Sequence, residues 1–166
     1  MASKFITYTK HGVAESSAML GTTGGAHIAN FVASADLDNG SVFARGTYAG
    51  NGLWNVKVAA KTDALFIAIT SPVIYEEYTK KMQEESNFYN AAGEEIRGYK
   101  AMVDDTVTLS AECFSGTPAV GKYVAQDGTG YKLVVSDTVP TGTAFVGFIY
   151  EVATNGNFRV LVQKNA

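Results

Sequence analysis

Cysteine, proline and histidine are nearly missing from this sequence, and each shortage closes off a class of protein. Cys113 is the only cysteine among 166 residues, so no disulfide can form within the chain. That excludes the usual staple of small secreted domains and leads us to expect synthesis in a reducing compartment. Only two histidines occur, His11 and His27, and neither is spaced from the other or from Cys113 as metal ligands are; no metal site is expected. Charge is sparse, with 17% of residues charged and a formal net charge of −3. Without a basic excess to neutralise phosphates, nucleic acid is not an expected partner. No stretch is apolar enough to span a membrane, and Met1 to Tyr8 lacks the apolar centre of a secretion signal. The protein is expected to be made and used without crossing a membrane.

The usual signatures of catalysis are absent as well. Gly21-Thr22-Thr23-Gly24-Gly25 is not followed by the Gly-Lys-Ser/Thr that grips phosphate, so it reads as a linker. Asp36-x-Asp38-Asn39-Gly40 has its glycine one position early for a calcium loop and no glutamate at the required distance, and a turn explains it. The acidic pairs Glu76-Glu77, Glu84-Glu85, Glu94-Glu95 and Asp104-Asp105 point their carboxylates apart on a strand or a helix. There is no Gly-x-Ser-x-Gly, and Cys113 has no cationic neighbour to activate it. The reading is a protein that is not an enzyme and needs no cofactor.

What the chain does have is alternation. His27–Ala33, Ser41–Tyr48, Leu53–Val58, Ala64–Ile69, Glu94–Met102, Thr106–Phe114, Val120–Gln126, Tyr131–Ser136, Thr143–Val152 and Phe158–Gln163 read as strands. Turn residues divide them, such as Asn39-Gly40, Gly50-Asn51-Gly52 and Asn155-Gly156-Asn157. The run Phe145–Tyr150 has almost no polar atoms, which places that strand centrally, buried on both faces, with the final strand beside it. Such spacing predicts an all-β fold, a small barrel or sandwich of short antiparallel strands. Residues 1–26, rich in Ser, Thr, Ala and Gly, read as an extended N-terminal arm, or as an arm folded back on its own domain. Residues 27–166 form the β-rich domain, with an acidic insertion at 72–93 and one short helix at Glu76–Glu85, where Glu77 and Lys81 lie four apart.

The stretch Pro118-Ala119-Val120-Gly121-Lys122-Tyr123-Val124-Ala125-Gln126-Asp127-Gly128-Thr129-Gly130, then Phe145-Val146-Gly147 and Asn157–Val162, resembles the C-terminal hairpins of head decoration proteins, auxiliary capsid proteins of tailed bacteriophages. Thr9–Glu15 and Asp36–Val42 are similar to structural proteins encoded among phage head genes. The acidic portion from Pro72 to Gly93 departs from the smallest decoration proteins. The resemblance implies a virion protein on the capsid surface, synthesised in the host cytoplasm. Its partners would be the major capsid protein and itself, as a homotrimer, with neither nucleic acid nor membrane. In such a protein the arm Phe5-Ile6-Thr7-Tyr8 would add a strand to a neighbour's sheet edge. Rings in irregular or polar surroundings, Tyr75, Tyr78, Phe88 and Tyr89 with Phe5, Ile6 and Tyr8, are the expected capsid or subunit interface. Trp54 is a further candidate, although its place in a strand favours the core. A tail component and a carbohydrate-binding β-domain using Trp54 are the alternatives.

Overall fold

The computed structural model describes residues 9–19, 28–72 and 84–166, and within them the all-β expectation holds. Five strands close into a barrel in the order β2-β4-β3-β5-β6, namely β2 (Ile28–Val32), β3 (Val42–Gly50), β4 (Leu53–Lys57), β5 (Phe66–Ala68) and β6 (Glu95–Lys100). Seven more form one sheet: β1 (Ala14–Glu15), β7 (Thr106–Leu109), β8 (Phe114–Ser115), β9 (Tyr123–Ala125), β10 (Leu133–Ser136), β11 (Phe145–Val152) and β12 (Phe158–Asn165). Their order is β1-β7-β12-β11-β9-β10-β8, so β11 is central with β12 at its side, as its apolar run predicts. The strands are not all antiparallel: β2 runs parallel to β4, and β10 parallel to β8. Short-range turn signals specify hairpins, and these two pairings join strands that no hairpin connects.

Two cores result. Phe31, Phe43 and Phe66 fill the barrel, with ring centroids 4.8 to 6.1 Å apart. Gly98 makes that possible, since a Cβ there would meet the rings of Phe31 and Phe43 at 2.6 to 2.8 Å. The larger core lies between the outside of the barrel and one face of the sheet, where Val42, Ile67 and Tyr99 meet Leu109, Phe145 and Val160. In β5, Phe66 therefore packs in the barrel and Ile67 in the shared core, which accounts for its wholly apolar sequence.

Several expectations are corrected. The strand expected over Thr106–Phe114 stops at Leu109; Ser110 opens a 3-10 turn over Ala111–Cys113, because its N–H and hydroxyl are committed to Val13. β11 is buried on both faces only in its first half, and Tyr150, Glu151 and Val152 are exposed. Of the two expectations for the N-terminal arm, residues 9–19 follow the second and fold back onto the domain, with β1 paired to β7 and Met19 in the large core; residues 1–8 and 20–26 lie outside the described residues. Most of the expected helix lies outside the described residues; Glu84 is extended and Glu85–Asn87 is a 3-10 turn.

Candidate interface

Of the residues expected at an interface, Phe5, Ile6, Tyr8, Tyr75 and Tyr78 lie outside the described residues, while Phe88 and Tyr89 follow the 3-10 turn at Glu85–Asn87. Phe88 is half-buried. Tyr89 is 42% exposed and stacks on the His11 ring, with centroids 5.0 Å apart. His11 Nδ1 in turn lies 2.7 Å from Asp38 Oδ1, and Asp38 Oδ2 accepts the Gly12 N–H. The His11 N–H donates to the Ser86 carbonyl. His11 thus meets a carboxylate at the surface, and neither side chain lines the polar groove beside it, which Gly12, Asn39, Thr70, Ser71 and Glu85 flank. His11 is thus a pin that holds residues 9–19 to the barrel side of the molecule.

Two further contacts fasten the same segment. Lys10 Nζ lies 3.0 Å from Glu112 Oε1. Burial works to raise the Glu112 pKa, but hydrogen bonds from Lys10 and from backbone outweigh it and hold the carboxyl below its usual range. The Val13 N–H donates to Ser110 Oγ, and the Ser110 N–H to the Val13 carbonyl. Beneath them Cys113 is buried, and burial pushes its thiol up to about 11, in keeping with an inert cysteine. Among the described residues no group of three or more His, Cys, Asp or Glu side chains could hold a metal ion.

A second surface escaped the sequence reading. The registers align Ser136, Tyr123, Phe148, Leu161 and Thr106 in one row across β10, β9, β11, β12 and β7. Directly opposed residues share a face, and this is the face turned away from the large core, since their strand neighbours Val124, Ile149 and Val160 are the buried ones. Tyr123 and Phe148 touch with centroids 5.1 Å apart, and Tyr150, 39% exposed, reaches its hydroxyl to 3.5 Å from Thr106 Oγ1. Three rings and a leucine therefore stand partly open to solvent on one sheet face. The signal available in the sequence was Glu151, which interrupts the apolar run where the strand emerges.

Set against family models, curated proteins and solved structures, the chain matches none of them. The resemblance to phage head decoration proteins rests on the residues quoted for it.

Proposed function

We propose that the protein is a virion structural component that binds an assembled capsid shell and cements neighbouring subunits. The observation that carries this reading is the open row Tyr123–Phe148–Leu161 with Tyr150, an apolar strip on a sheet face that the chain's own core leaves uncovered. Rings bury much area for little rotamer entropy, so such a strip suits attachment to a rigid repeated surface. The latched segment with Tyr89 exposed beside it offers a second contact, and many modest contacts repeated around a shell add through avidity.

The test is addition of purified protein to capsids that lack it. Bound protein in stoichiometric amounts and a raised temperature of capsid disruption are expected, and Tyr150→Lys combined with Leu161→Lys weakens binding about tenfold or more while the protein stays folded. Absence of capsid binding by the unaltered protein overturns the reading. Binding to tails in its place identifies the tail alternative.

A further inference from the structure

Arg45 has no carboxylate partner among the described residues, yet its guanidinium is held in place. Its Cζ lies 4.9 Å from the Trp54 ring centroid and 5.2 Å from that of Phe66, two cation–π contacts that fix the group at the Phe66 end of the barrel. The arrangement depends on a bulge. Arg45 is opposite Val56 and Tyr48 is opposite Trp54, so Gly46 and Thr47 together face the single residue Asn55. The extra residue returns Tyr48 to the face that Arg45 occupies. Only glycine fits at position 46, where a Cβ would come within 2.7 Å of the Asn55 carbonyl oxygen.

Tyr48 is also rigid, although it is 58% exposed. Its ring edge meets Trp54 at a centroid distance of 5.2 Å, and its hydroxyl accepts the Gly52 N–H at 3.0 Å. The turn beside it is open, with no atom within 4 Å of a Cβ placed on Gly50 or Gly52. Lys100, opposite Phe66 in β6, also lies on the barrel-facing side without an ion pair among the described residues. An exposed ring held at both its edge and its hydroxyl, a guanidinium stacked on two rings with no carboxylate partner among the described residues, and an open turn at Gly50 and Gly52 lie side by side.

We infer that the Arg45–Tyr48–Trp54 corner is a binding site for a carboxylate-bearing saccharide. An arginine fork takes a carboxylate in two parallel N–H···O bonds, and the C–H face of a pyranose lies flat on an exposed ring. Both partners are already immobile, so little ordering entropy opposes binding. The site belongs to the barrel and does not depend on the apolar row of the sheet.

Trp54 is the only tryptophan, so its fluorescence reports the site directly. Titration with galacturonate is expected to give a saturable change, and galactose, identical but for the carboxylate, little or none. Arg45→Gln weakens the galacturonate response about tenfold or more, and Tyr48→Ala, at an exposed position, does so without touching the charge. The proposal is overturned if galacturonate and N-acetylneuraminate leave the emission unchanged, if galactose acts as strongly, or if acetate alone reproduces the effect at the same concentration. Unaltered affinity in Tyr48→Ala overturns it even where Arg45→Gln fails to fold.

Discussion

Gln126 shows how much a single side chain can organise. It is 2% exposed, and its Nε2 lies 3.1 to 3.2 Å from the carbonyl oxygens of Ala60, Lys61 and Asp63, so one amide from the sheet gathers the turn that follows β4. Gln126→Ala removes the amide from three part-buried carbonyls and is expected to cost about 0.5–1.5 kcal/mol, read as a lower urea midpoint at unchanged slope. A midpoint equal to the parent's would mean that water replaces the amide at no cost. Nothing in the sequence identifies Gln126, since a polar residue at the end of a strand reads as solvated. Trp54 is the intermediate case: it does pack against the barrel core, as a strand residue should, and it also faces Arg45 and Tyr48. Only the bulge, invisible to an alternation count, brings those three together.

The segment 9–19 and the turn after β4 are each held in part by a carboxylate that responds to acid. Glu112 titrates below its ordinary range because it is bonded to Lys10, and Asp63 does so because of its hydrogen bond from Lys57 and that from the Ala60 N–H. A carboxyl with a lowered folded pKa contributes stability above its unfolded pKa and loses it as pH falls through the folded value. The Lys10–Glu112 share of the fastening of residues 9–19 is therefore expected to be complete at neutral pH and to be lost as pH falls below about 4, leaving the β1–β7 pairing and Met19 to hold the segment more loosely, with Lys10→Ala removing the same share at every pH above that. Amide hydrogen exchange at Val13 and Ser110 checks this, and protection that persists unchanged at pH 3 contradicts it. Strand positions and turns were legible in the sequence because period-two alternation and Asn-Gly or Gly-Asn-Gly reversals are local. The docking of 9–19 was not, because its partners Asp38, Ser86 and Ser110 are distant in sequence and look like ordinary turn residues.

At the level of the whole molecule, the barrel and the sheet share one core, with Val42, Ile67 and Tyr99 facing outward from barrel strands into the sheet. Neither half can expose that surface and stay folded, so unfolding is expected as one transition. Trp54 emission follows the barrel and far-ultraviolet circular dichroism follows both halves; coincident midpoints are the expected result, and separate ones would show the halves to be independent. The two-core plan was beyond sequence reasoning, which predicted a barrel or a sandwich, because a wall buried on both sides and a central sheet strand carry the same apolar run. The outermost described strands of the sheet, β1 and β8, are each only two residues long. A stray chain laid along either margin would find too few free amides and carbonyls to zip up, so crowding the protein at high copy number does not seed fibres through those margins. At those two margins adhesion is left to side chains, which can be selective where a bare backbone cannot.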